Sequence, residues 1–276
     1  MMNQCKPDLV SPRGIVLGYC EKEEKLQLAS LRVDGDVVLG CEVAEFWNLH
    51  EMMGYLVEKP RPLGIGAHAT LALSTGREGW RAADYWIVEA PFHRQSEYDE
   101  FPFYWGPFQG TDHSLSAIAM LCALRTRWPG LPATETNSRE CYFHVNRSTI
   151  WHPLEERIEI VGDWLGITLP AVMRDGALDA VMSAHAMWMG LRGKWPIDLH
   201  KLNRPGSQAF VGSCQDGVSR EDHYHQPAMS FESLIFPAGP VSFYWPPDDR
   251  ADAGKLCADK PEILIPPQNE GVCHGN

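Results

Sequence analysis

The hydrophobic pattern opens at residues 14–20, GIVLGYC, a short apolar run that reads as a buried strand. A charged turn, Glu21-Lys22-Glu23-Glu24, separates it from residues 26–33, LQLASLRV. Asp34-Gly35 is a hairpin signal and leads into residues 36–43, DVVLGCEV. Three strands on tight turns predict an antiparallel meander. Residues 46–58, FWNLHEMMGYLVE, carry helical periodicity and stop before Pro60, where the backbone turns away from the helical region. Residues 63–67, LGIGA, predict a short strand that runs into a loop.

From residue 68 to 111 the chain reads mostly as connection, with a short helix expected near Tyr85-Trp86. Within it, about residues 89–112 form an insertion bearing Phe92, Phe101, Phe103, Tyr104, Trp105 and Phe108. Loops of this length tend to be functional or disordered, and so many aromatic side chains argue against disorder. A flap over a site and a side wall covering the sheet fit the pattern equally. Helices follow over residues 113–127, 139–145 and 154–165, with a short strand over 133–136 that delivers Glu135 near its end. Alternating strands and helices after a meander predict a mixed sheet with helices on both faces. From about residue 194 the chain reads as an extension wrapped on the core, with one clear strand at 240–245, PVSFYW. One domain is expected over 1–250, followed by a partly disordered tail over 251–276.

Residues 175–189, DGALDAVMSAHAMWM, hold the most chemistry. Leu178, Val181, Met182, His185, Trp188 and Met189 recur at helical spacing and form an apolar stripe. Asp175 and Asp179, four apart, share a face at the stripe's edge. Two acids there can be directed at a metal. They also fit ordinary helix punctuation, with Asp175 as N-cap and Asp179 favoured by the helix dipole.

Composition narrows the partners. A formal net charge of −12 lacks the basic field by which proteins hold nucleic-acid phosphates. No run approaches the roughly 18 apolar residues of a membrane span, and the N-terminus lacks a signal-peptide core. A cytoplasmic protein with no membrane role is expected. The eight cysteines have no CxxC spacing and read as mostly free thiols.

Four features in order carry a resemblance. They are the opening strand with its meander, the Gly64-Ile65-Gly66-Ala67 turn, Thr134 to Tyr142 (TETNSRECY), and the Asp175 to Ala180 helix start, DGALDA. Gly79 to Asp84 and the 238–246 segment add to them. Together they resemble the domain of unknown function 429 family, predicted nucleases of the RNase H-like superfamily. The resemblance implies an RNase H-like mixed sheet. It also implies a strand-end site in which acids hold Mg²⁺ or Mn²⁺ for metal-assisted phosphodiester hydrolysis. Glu135, Asp175 and Asp179 match family acids and are the expected catalytic and metal-binding residues. Two positions depart: Cys20 stands at the first-strand aspartate, and Gly66 replaces the acid after the fourth strand, with His68 two residues on.

A softer ion such as Zn²⁺ or Mn²⁺ would accept His68 and Cys20 beside Glu135 and Asp179. Against that, a lone His near a strand end is more often a structural residue, and a buried Cys more often packing. The balance therefore favours a partly degenerate site. Arg77 and Arg81 are candidates for binding an anionic substrate, although a salt bridge with Asp84 weighs more. His223 and His225 read as exposed loop residues. Three functions follow: a metal-dependent nuclease or phosphodiesterase, a catalytically silent binding or assembly module with a protein partner, and a small-molecule or nucleotide hydrolase. The acidic charge disfavours a nucleic-acid substrate among these.

Overall fold

Two glutamates make the first hairpin. In the computed structural model, which describes residues 13–74, 81, 83–84, 111–148, 150–201 and 234–247, Glu23 and Glu24 adopt φ of 55° and 60°. A two-residue hairpin of this kind needs positive φ at both central positions, because that twist matches the flanking strands. The turn is therefore Glu23-Glu24 alone. Glu21 and Lys22, expected in the turn, extend strand β1 (Arg13–Lys22). Strand β2 (Lys25–Asp34) pairs antiparallel with β1. Strand β3 (Val37–Phe46) pairs antiparallel with β2 after a turn at Gly35, whose φ is 58°.

Helix α1 (Leu49–Val57) starts at Asn48, whose side chain accepts from the Glu51 N–H and so caps one orphan donor. Strand β4 (Gly64–His68) then returns parallel to β1. Strand β5 (Leu73–Ser74), helix α2 (Thr111–Arg127) and strand β6 (Ala133–Glu135) follow, β6 lying parallel to β4. Three more helices complete the described body: α3 (Ser138–Asn146), α4 (Leu154–Leu165) and α5 (Asp175–Leu191). The five-stranded sheet has the order β3-β2-β1-β4-β6. An antiparallel meander extended by parallel strands, with helices on both faces, is the RNase H-like arrangement that the sequence predicts.

Residue alternation splits the sheet into two faces. Leu17, Tyr19, Leu28, Ile65 and Ala67 form one core with Met52 and Leu56 of α1 and Met120, Leu121 and Leu124 of α2. Val16, Cys20, Ala29 and Leu31 form the other with Tyr142, Val161, Leu178 and Val181 of α3, α4 and α5. Helix α5 is buried over nearly its whole circumference, being sandwiched between the sheet and two helices.

Its contact with the sheet depends on two glycines. Gly18 and Gly66 are register partners on β1 and β4. A Cβ on Gly18 would stand 1.9 Å from the Ala180 carbonyl oxygen, and one on Gly66 would stand 1.9 Å from that of Ser183. The position that the resemblance marks as a lost acid is therefore one where the helix backbone rests on the strand. The small residues Ala180, Ser183 and Ala184 form the sheet-facing side of α5. The stripe of large residues faces elsewhere; His185, for example, packs its ring against Trp164 of α4 and Trp195.

The C-terminal extension covers the β6 edge. Glu135 N–H donates to the Ser242 carbonyl at 2.8 Å, and Ser242 N–H to that of Ala133 at 2.9 Å. The expected strand over 240–245 is regular only at β9 (Tyr244–Trp245), which pairs with β7 (Ile197–Asp198). A further two-residue strand, β8 (Leu234–Ile235), pairs with β5. Arg77, His223, His225, most of the aromatic insertion and the 251–276 tail lie outside the described residues. Among the described residues no helix is long and apolar enough to cross a membrane.

Candidate metal centre

The parallel register of β1 and β4 sets Cys20 opposite His68. Both stand two residues beyond the glycines on which α5 rests, so they emerge on the α5 face. Asp179 lies one helical turn before Ser183, on the sheet-facing side of α5, and meets them there. One donor atom each from Cys20, His68 and Asp179 lies within 4.8 Å of the others. Cys20 is fully buried, Asp179 is 4 % exposed, and His68 is half-buried. Ser138, the first residue of α3, holds His68: its Oγ lies 2.6 Å from Nδ1, and its N–H donates to the same nitrogen at 3.3 Å.

Lys22 completes the surroundings. It follows Cys20 on the same face of β1, and its ammonium contacts Asp175 and stands 3.4 Å from Asp179 Oδ2. Burial acts to lower the Lys22 pKa, but the Asp179 and Asp175 carboxylates outweigh it and raise it above the ordinary lysine range. Asp175 is also paired with Arg157 at 2.7 Å. Burial acts to raise the Asp175 pKa, while Lys22 and then Arg157 outweigh it and hold it below the usual carboxylate range. Asp175 is the first residue of α5 and not its N-cap, which is Arg174 and makes no side-chain cap. Burial, and after it the neighbouring Asp179 charge, push the Cys20 thiol well above its ordinary pKa, with Lys22 pulling the other way.

Glu135 is not part of this cluster. It was expected beside Asp179, but its register partner is Ala67, which belongs to the opposite core. Its carboxylate accordingly faces the side of the sheet away from α5. There Arg81 donates from Nη1 to its two oxygens at 2.7 and 2.6 Å, and the Leu71 N–H donates at 2.8 Å. His200 Nε2 contacts Oε2. Burial works to raise the Glu135 pKa, but Arg81 and then His200 outweigh it and hold it at about 2. Arg81 also bonds Asp84 at 2.6 Å and the Ala72 carbonyl at 3.0 Å. Arg81 is thus a buried partner of two acids, in line with the salt bridge to Asp84 expected from the sequence.

The carboxylate set needed for Mg²⁺ does not fit these residues. Hard cations take oxygen ligands, and Asp179 is the one carboxylate in the converging group. Asp175 is held by two cationic side chains, and Glu135 faces away. A sulfur, an imidazole and a carboxylate suit a borderline ion of the zinc class.

Lys22, Ser138 and His200 were missed from the sequence. Cys20 and Lys22 share a face as alternate residues of one strand, so a turn placed at Glu23-Glu24 would have found Lys22. Ser138 and His200 carry no comparable signal.

No family model matches the chain, and no curated protein matches it. Among solved structures the chain is similar to Thermus thermophilus RuvC, with a TM-score of 0.38 and 14 % identity over 65 % of this chain and 96 % of that one. So loose a likeness assigns no residue. The strand order and register define the class: an RNase H-like α/β protein with a Cys-His-Asp cluster at its strand ends.

Proposed function

We propose that this protein is a divalent-metal-dependent phosphodiesterase on an RNase H-like scaffold, with Asp179 as the carboxylate around which its site is built. One observation carries the reading: Cys20, His68 and Asp179 converge within 4.8 Å. They do so at the C-terminal ends of adjacent parallel strands, where open α/β sheets bind their ligands. A bound divalent ion would neutralise charge at the scissile phosphate. The chain's own part is to place Lys22 beside that position as a cation for a phosphate oxygen, with its ammonium held by Asp175, which Arg157 holds in turn. The net charge of −12 favours a nucleotide-sized substrate over a nucleic-acid strand. The motif order that resembles the domain of unknown function 429 family supports the same reading.

A second reading has its own observation. Lys22 and Arg157 already supply positive charge to Asp175 and Asp179, as expected of a scaffold that has given up metal chemistry for binding. Hydrolysis of bis(p-nitrophenyl) phosphate and of a cyclic dinucleotide, with Mg²⁺, Mn²⁺ or Zn²⁺, separates the two. Turnover that disappears in Asp179→Asn is the expected result. No turnover with any ion would leave the silent binding module.

A further inference from the structure

We infer that Cys20, His68 and Asp179 are the three protein ligands of a single zinc-class cation. The inference shares its site with the proposed phosphodiesterase but does not depend on hydrolysis.

Three arguments support it. The first is geometry. A tetrahedral zinc ion with bonds of about 2.0–2.3 Å sets its donors roughly 3.3–3.6 Å apart. The three donor atoms here lie within 4.8 Å of one another, so they would close on an ion by side-chain shifts of about 1 Å. The backbone is already fixed, because Cys20 and His68 are register partners and the glycines behind them seat α5 directly on the strands.

The second is the support behind the histidine. A metal-bound imidazole is usually oriented by a hydrogen bond on its other nitrogen. Ser138 Oγ, 2.6 Å from Nδ1, accepts the Nδ1 proton in the metal-bound tautomer, in place of the 3.3 Å bond from the Ser138 N–H to that nitrogen; the hydroxyl comes from the start of α3, an element outside the cluster.

The third is charge. Without an ion, Lys22 and Arg157 balance Asp175 and Asp179. Zinc bound with Cys20 as thiolate, its proton passing to solvent, adds one net positive charge. A three-ligand site leaves the fourth position to water or an external ligand. The surplus charge makes an anion such as phosphate the preferred occupant, and Lys22 stands beside it.

The test uses the full chain, stripped with a chelator. Zn²⁺ is titrated calorimetrically, and Co²⁺ is followed by absorbance in the wild type, Cys20→Ser, His68→Asn and Asp179→Asn. Phosphodiester hydrolysis is assayed on the same samples. Expected are one ion per chain, a thiolate-to-cobalt charge-transfer band lost in Cys20→Ser, and affinity lowered at least about tenfold in each variant. Inorganic phosphate should perturb the cobalt spectrum of the wild type. Should Cys20→Ser fail to fold, the band's weakening in His68→Asn reads out the same site. A cobalt spectrum without the thiolate band, or binding unchanged in the folded variants, would overturn the inference. Zinc binding without hydrolysis would sustain it and sink the phosphodiesterase reading. Hydrolysis with Mg²⁺ and no zinc site would do the reverse.

Discussion

The two acid-bearing clusters of this molecule stand on opposite faces of one sheet and differ in how completely their charges are answered. On the α2 side, Glu135 receives Arg81, the Leu71 amide and His200, while Arg81 also holds Asp84. Arg81 spends its donors on Glu135, Asp84 and the Ala72 carbonyl, which makes the cluster a staple joining β6 to the segments around Leu71 and His200. On the α5 side, Asp179 meets a thiol, an imidazole and one shared ammonium. That set shares one ammonium between two carboxylates and borders the half-buried His68 and Lys22. A buried carboxylate is therefore a poor marker of a site by itself. The state of its partners decides whether it is structural or available.

The largest expected effect lies in the saturated cluster. Glu135→Ala takes one of its two carboxylates from the buried Arg81 and leaves the Leu71 N–H without its acceptor, so unfolding stability should fall by about 3 kcal/mol in urea titrations. Zinc binding by the protein that remains folded should be unchanged, and loss of ion affinity without loss of stability would dissolve the distinction between the clusters. Next comes Gly66→Asp, which restores the acid of the resembled family. The new Cβ meets the Ser183 carbonyl at 1.9 Å, and the strain of lifting α5 should cost roughly 3 kcal/mol without creating a Mg²⁺ site. A stable variant with gained Mg²⁺ affinity would show that the position belongs to the site after all.

Acid titration should read out the Glu135 cluster through its variant. The folded-state pKa of Glu135 is depressed from 4.5 to about 2, so its stabilisation is complete above roughly pH 4.5 and fades as pH falls towards 2. Stability measured over that range should fall less steeply in Glu135→Gln than in the wild type, and parallel curves would remove Glu135 from the account. The smallest effect is expected at Lys22. Lys22→Gln frees Asp179 from a competing cation and should tighten zinc binding by up to about tenfold, or ~1.4 kcal/mol. Weaker binding in this variant would mean that the ammonium organises the ligands and does not compete with the ion.

The meander, the order of helices and the sheet arrangement were legible because alternation over ten-residue strands and the Asp34-Gly35 signal are strong local determinants. The side of Glu135 was not. A three-residue strand has too short a pattern to reveal its face, and a shift of one residue reverses every side chain. Asp179 was found, but its orientation was read from the large apolar stripe, whereas α5 meets the sheet through small residues that permit close backbone approach. Cys20, His68 and Asp179 were grouped from the sequence as ligands for a softer ion; Glu135, the fourth of that set, lies on the other face, and the β1–β4 register that pairs Cys20 with His68 has no local signal. Asp175 appeared equivalent to Asp179 because the two share a helix face, and the distant Arg157 makes the difference.

The most direct measurement is X-ray absorption spectroscopy of the wild-type chain loaded with one equivalent of zinc. The Cys20–His68–Asp179 centre predicts a single sulfur at about 2.3 Å with nitrogen and oxygen at about 2.0–2.1 Å. A shell of oxygen and nitrogen alone, without sulfur, would contradict it.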